Sequence, residues 1–167
     1  MTHQSEPRAE PIEYGPLRTG EERAVIEMVL SSFEAAIAPL YSSQGVAEFK
    51  KYASLKEIAF RSRCAHFVCV ARQNREPVGM IEIRDHRHIS MFFVKSAYQH
   101  KGIGRKLLAC ALNRCIQKNP ELAAVTVNAS PNAVPAYRHL GFIPNPPEKI
   151  INGIRHIPMQ KNLTRVC

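Results

Sequence analysis

The stretch from His88 to Lys118 constrains this chain more than any other. An apolar run over 88–95, His-Ile-Ser-Met-Phe-Phe-Val-Lys, ends in a basic loop that includes Gln99-His-Lys-Gly-Ile-Gly104. The loop passes straight into a helical pattern. Ile103, Leu107, Ala111 and Cys115 recur every four residues, and Leu108, Leu112 and Ile116 make a second row beside them. The spacing predicts a strand, a glycine turn and an amphipathic helix that begins near Gly102. Such a junction holds anions, because the first N–H groups of a helix have no partner within it and point outward. Gly102 and Gly104 remove the side chains that would keep a pyrophosphate off that backbone. Spacing alone allows an equal alternative, a plain tight turn followed by a solvated basic face. Charge favours the anion: from His86 to Pro120 there is no acid, but there are seven bases, Arg87, Lys95, Lys101, Arg105, Lys106, Arg114 and Lys118.

Gln99-His100-Lys101-Gly102-Ile103-Gly104 matches the Q/R-x-x-G-x-G/A signature of the GNAT N-acetyltransferases, which bind acetyl-CoA. Downstream, the segment from Ser130 to Phe142 resembles that family's N-x-x-A-x-x-x-Y-x-x-L-G-F, with Ser130 at the usual Asn position. The resemblance runs from about Pro11 to Leu163 and is strongest from Pro77 onward. It implies an α/β acetyltransferase fold, a mixed and mostly antiparallel sheet with helices on both faces. It implies acetyl-CoA as cosubstrate, and transfer of its acetyl group to a primary amine by direct attack in a ternary complex.

By the same resemblance, Gln99, His100, Lys101, Gly102, Ile103, Gly104 and Arg105 hold the CoA pyrophosphate. The strand from His88 splays from its neighbour, and pantetheine pairs with the backbone of Phe92, Phe93 and Val94. The Val94 N–H is the expected donor to the thioester oxygen. Ser130 bonds the pantetheine arm or caps the short helix after it. Tyr137 protonates the leaving thiolate, and a phenol pKa near 10 suits an alkyl thiol. Read as residues alone, Phe92 to Val94 are strand core and Tyr137 is a ring packed under Leu140 and Phe142.

The general base is less determined. Many family members carry a Glu on the splayed strand, and His88 to Lys95 contains no acid. Glu82 lies on the neighbouring strand among apolar residues, where burial would raise its pKa. It reads equally well as a strand residue facing solvent or an arginine. His88 has a suitable pKa but stands at the strand's start, Asp85 falls in a turn, and water is a further route. His86 and His88 share a face, but no third ligand is placed for a metal.

The 167 residues suit one domain over 11–167, after a loose tail over 1–10. No apolar run is long enough to span a membrane, and the first residues lack the apolar core of a signal peptide. Five cysteines with no C-x-x-C spacing read as reduced, buried thiols in a cytoplasm, not as a zinc site. Net charge is +9 and unevenly placed: residues 1–85 carry 11 Lys/Arg and 12 Asp/Glu, whereas residues 86–167 carry 12 Lys/Arg against Glu121 and Glu148 alone. A basic half attracts polyanions in general. Acetyl-CoA with an amine acceptor is the favoured set of partners. Nucleic acid is the less favoured one, and a CoA- or nucleic-acid-binding module without catalysis is the competing function.

The remaining elements follow in order. Ile12 to Arg18 reads as an edge strand, and Thr19 with Glu22 as a capping box for a helix whose stripe is Val25, Ile26, Val29, Leu30, Phe33 and Ile37. A second helical region spans about Gln44 to Arg61, broken at Ser54. Strands are expected at His66–Arg72 and Val78–Arg84 around a turn at Asn74–Pro77, at Ala124–Asn128, and in a hairpin turning at Asn152-Gly153. A short helix is expected from about Asn132 to Leu140, with Pro135 in its first turn. The Ile-rich hairpin offers a surface for a homodimer.

Overall fold

The computed structural model describes residues 10–164, so the expected tail lies almost wholly outside the described residues, as does Cys167. Among the described residues eight strands form a mixed sheet: β1 (Glu13–Pro16), β2 (His66–Gln73), β3 (Glu76–Arg84), β4 (His88–Val94), β5 (Ala124–Ala129), β6 (Ile143–Pro144), β7 (Lys149–Ile151) and β8 (Ile154–Asn162). Their order is β1-β2-β3-β4-β5-β8-β6, with β7 paired to β8 off this path. Every pairing is antiparallel except β4 with β5.

β2 and β3 are apolar on both faces and buried along nearly their whole length, as central strands covered from both sides must be. One cover is α1 (Glu22–Ala36), α2 (Ser43–Tyr52) and α3 (Leu55–Arg61). There Val25, Val29 and Ile58 meet Val68, Val70, Met80 and Met91. The other cover is α4 (Ile103–Lys118) with the short α5 (Val134–His139). The four-residue row Ile103, Leu107, Ala111 and Cys115 packs there with Cys69, Ile81, Val125 and Val127. Ser54 starts α3 as the break in the second helical region, its Oγ accepting the Glu57 N–H at 3.3 Å.

Several expectations need correction. Thr19 does not cap α1; Glu21 occupies the N-cap position, and its carboxylate is taken by the buried Arg72 at 2.5 and 2.6 Å. A guanidinium buried on a central strand requires a counter-charge, and Glu21 at the start of α1 supplies it. The β2–β3 turn is shorter than expected: Asn74 and Arg75 lie at φ of 51° and 66°, and Pro77 already belongs to β3. β6 is too short to leave a period in the sequence. Cys64 is exposed and Cys110 half-buried, so among the described residues only Cys69 and Cys115 are the buried thiols expected.

The β7–β8 hairpin turns at Asn152 and Gly153, with φ of 52° and 75°, and α2 rests on its tip. Ser42 Oγ donates to the Gly153 carbonyl at 3.2 Å. A Cβ on Gly45 would lie 2.3 Å from that same oxygen. Helix propensity alone makes Gly45→Ala stabilising by about 1 kcal/mol. The contact predicts the opposite sign, a loss of about 1–3 kcal/mol as α2 is pushed off the hairpin. Urea denaturation of the two proteins decides between them.

Candidate active site

β4 pairs with β5 only at His88 with Thr126 and Ile89 with Val127, and beyond Ile89 the two strands separate. β4 stays paired with β3 as far as Val94, with a register shift between Glu82 and Ile83 that leaves Ser90 as the extra residue. Such a bulge bends the strand that carries it. In an antiparallel ladder the N–H and C=O of successive residues face opposite edges. The Lys95 N–H donates to the Val78 carbonyl at 2.9 Å, so Phe93 also faces β3, while Phe92 and Val94 face the gap. Gln99 Nε2 donates to the Val94 carbonyl at 3.0 Å. That leaves the Val94 N–H at the gap's edge.

The loop ends beside this gap. Gly102 is the N-cap of α4, left-handed at φ 79°, and no side chain caps the helix. A Cβ there would meet nothing within 4 Å, so the space over the loop is open. The first helical bond runs from the Lys106 N–H to the Gly102 carbonyl at 3.1 Å. The amides of Ile103, Gly104 and Arg105 therefore have no helical partner, and no acid stands in the first turn. This is a cradle for an anion. A Cβ on Gly104 would lie 3.6 Å from the Phe92 ring, which joins the loop to the gap.

The loop side chains divide their tasks. Gln99 is bound to β4. His100 supplies a left-handed turn at φ 60°. Lys101 Nζ stands 5.4 Å over the Tyr98 ring. Arg105 donates to the His139 carbonyl at 3.3 Å, tying α4 to the end of α5.

α5 carries Tyr137, and Pro135 sits in its first turn. The Tyr137 ring lies 6.1 Å from Phe92 and 5.4 Å from Phe142, both edge-on. Burial pushes its phenol pKa upward. Ser130, expected either to bond a ligand or to cap this segment, is buried and makes no capping bond.

Glu82 faces the opposite side of the sheet and is completely enclosed. Arg61 Nε donates to it at 2.8 Å and Arg61 Nη2 at 3.3 Å. The Tyr52 hydroxyl donates at 3.3 Å, and His66 Nδ1 stands 3.4 Å away. The Arg61 guanidinium also lies 3.7 Å over the Tyr52 ring. Burial, and then the Glu82 charge, raise the Tyr52 pKa. Ser90 Oγ, on the bulge, is buried and lies beside the Tyr52 hydroxyl, whose pKa it lowers against the larger rise from burial. Of the two readings of Glu82, the arginine partner is present. Tyr52, Ser90 and Arg61 were not singled out from the sequence, where only an acid amid an apolar strand signalled the need for a partner.

The other base candidates sit lower. His88 Nδ1 is 2.8 Å from Thr126 Oγ1, where β4 and β5 are still joined. Burial, and then Arg84, lower its pKa from 6.5 to about 4. Asp85 is exposed in its turn at φ 52°.

Residues 37–163 match a family model described as "Acetyltransferase (GNAT) domain". Among solved structures, the chain is similar to a GCN5-related N-acetyltransferase from Rhodopseudomonas palustris, with 20% identity, a TM-score of 0.74, and coverage of 95% of this chain and 100% of that one. It is similar to the PaiA N-acetyltransferase of Thermoplasma acidophilum in complex with coenzyme A, with 20% identity, a TM-score of 0.74, and coverage of 92% and 100%. It is similar to the ribosomal-protein-S18-alanine N-acetyltransferase of Escherichia coli, with 18% identity, a TM-score of 0.64, and coverage of 94% and 97%. No curated protein sequence matches it. At these identities the structures share the fold. Among the described residues no helix is long and apolar enough to cross a membrane.

The His88 environment sets a pH dependence. Its folded pKa of about 4 lies below the 6.5 of an unperturbed histidine, so between those values the unfolded chain binds the extra proton. Stability is therefore lost as pH falls through that window. His88→Gln, which keeps a partner for Thr126, should lose roughly 1–2 kcal/mol less than the parent across it, after allowance for partial exposure. Urea midpoints measured at intervals from pH 7 to 4 give the two slopes.

Proposed function

The chain belongs to the GNAT acetyltransferases, and on that premise we propose that it transfers the acetyl group of acetyl-CoA to a primary amine, which attacks directly while both are bound. One observation carries the reading: β4 and β5 part after Ile89 beside an uncapped helix N-terminus, with Tyr137 near Phe92 on the α4 side. A structural relative bound to coenzyme A supports the choice of ligand. Five cysteines without C-x-x-C spacing suit a cytoplasmic setting.

Acetyl-CoA supplies an activated thioester and the phosphates that anchor it. The open backbone at Gly102, with the amides of Ile103, Gly104 and Arg105, receives the pyrophosphate, and His100 and Lys101 flank it. Phe92 and Val94 present their gap-facing backbone to the pantetheine arm, while Phe93 keeps the strand on β3. The Ser130 hydroxyl, free of a capping bond, is available to the same arm. The Val94 N–H donates where negative charge develops on the thioester oxygen, so its stabilisation grows along the reaction. Tyr137, kept protonated by its burial, gives its proton to the departing sulfur.

Glu82 serves as the proton's destination and not as the group that touches the amine, because it is enclosed. Its outlet is the Tyr52 hydroxyl: the amine's proton passes to the Tyr52 oxygen as Tyr52 passes its own to Glu82. His88 is a feeble proton acceptor, and Asp85 stands in an exposed turn.

Thiol release from acetyl-CoA over a panel of amines tests the activity. Tyr137→Phe tests the chemistry. The variant should keep the fold and CoA affinity, with a stability change within about 1 kcal/mol. Its transfer rate should fall by roughly 10²-fold or more. The loss should shrink with an acyl donor whose thiol is more acidic. Full rate, or equal loss with both donors, would assign Tyr137 to packing or binding.

A further inference from the structure

Away from the gap, β2 and α4 bring two thiols together. Cys69 and Cys110 are 41 positions apart, and their sulfurs lie 3.5 Å from each other. That is contact distance without a bond. They stand at the floor of a cleft of about 430 Å³ lined by Pro16, Asn113, Arg114, Gln117 and Lys118. The lining from α4 falls at steps of three and four from Cys110, so one helical face presents the thiol and two cations to solvent. Arg114 is held in place over the Phe67 ring at 4.6 Å.

We propose that Cys69 and Cys110 form a redox-reactive dithiol, which a peroxide entering this basic cleft converts to a disulfide between β2 and α4. The two sulfurs have unequal roles. Cys110 is half-buried and reached from the cleft, whereas Cys69 is buried. Burial pushes the Cys69 thiol up to about 12, with Cys110 beside it adding to the rise. Cys110 therefore reacts first. Its thiolate attacks one peroxide oxygen and displaces hydroxide, giving a sulfenic acid and, with the thiol's proton, one water. The Cys69 sulfur then attacks the Cys110 sulfur. The S–O bond breaks, the S–S bond forms, and the Cys69 proton leaves with the hydroxide as a second water. Two thiols are oxidised by two electrons and one peroxide is reduced. Closure needs the sulfurs to approach by only about 1.5 Å to reach bonding distance. The bond would fix α4, whose other end carries the Gly102 loop, against the sheet. This site is independent of the acetyl-transfer reading.

The test is stoichiometric hydrogen peroxide on the full chain, followed by intact mass and peptide mapping. The expected product is lighter by about 2 Da, carries one peptide pair joined through residues 69 and 110, and returns to the parent mass with a dithiol reductant. Cys110→Ser should form no such pair. Cys69→Ser should stop at a Cys110 sulfenic acid that a cyclic 1,3-dione probe captures. The proposal is overturned if Cys110 stays reduced while the exposed Cys64 oxidises, if the cross-link includes Cys64, or if Cys110 proceeds to sulfinic acid with Cys69 still free.

Discussion

A strand that loses one of its two neighbours partway along its length governs this structure. β4 sits between β3 and β5, and from Ser90 onward only β3 pairs with it. Backbone polar groups inside a sheet are costly to leave unmatched. The chain answers part of the need itself, by laying the Gln99 amide on the Val94 carbonyl. What remains is a short row of gap-facing backbone groups at Phe92 and Val94. They lie within reach of a helix start whose own amides are unmatched. Two separate deficits of hydrogen bonding thus converge, and a ligand with a phosphate end and an amide-bearing arm fits both.

The surroundings hold that opening at a fixed width. The bulge at Ser90 falls where β4 parts from β5, and α4 is packed on the sheet through the Leu107 and Ala111 row. Arg105 ties the start of α4 to the end of α5, so Tyr137 is positioned by the same helix that presents the phosphate cradle. On the opposite face, the Arg61–Glu82 pair joins α3 to the sheet and fixes Tyr52 beneath the bulge. Removing one member of such a buried pair leaves the other charge uncompensated, at a cost of about 3–5 kcal/mol. The pair therefore has a structural role whatever it contributes to proton transfer.

Much of this is local enough to read from residues. The period of Ile103, Leu107, Ala111 and Cys115 predicts α4, the glycines predict its open start, and Asn152-Gly153 predicts the hairpin. Several misses share a cause: they depend on a partner distant in sequence. Glu21, at the start of α1, is bound by Arg72, which lies 51 residues away. The partner of Glu82 is 21 residues away on another element. The two close thiols come from a strand and a helix with no spacing signature. The bulge at Ser90 is a property of pairing register, which one strand's sequence does not contain.

Amide hydrogen exchange, followed residue by residue with and without acetyl-CoA, tests the account most directly. The ligand should slow exchange at Phe92 and Val94, which face the gap, and at Ile103, Gly104 and Arg105 at the start of α4. Phe93 and Lys95, already paired with β3, should not change and serve as internal controls. Protection confined to the solvent-facing bases of α4 or to the β7–β8 hairpin, with Phe92 and Val94 unaltered, would contradict it.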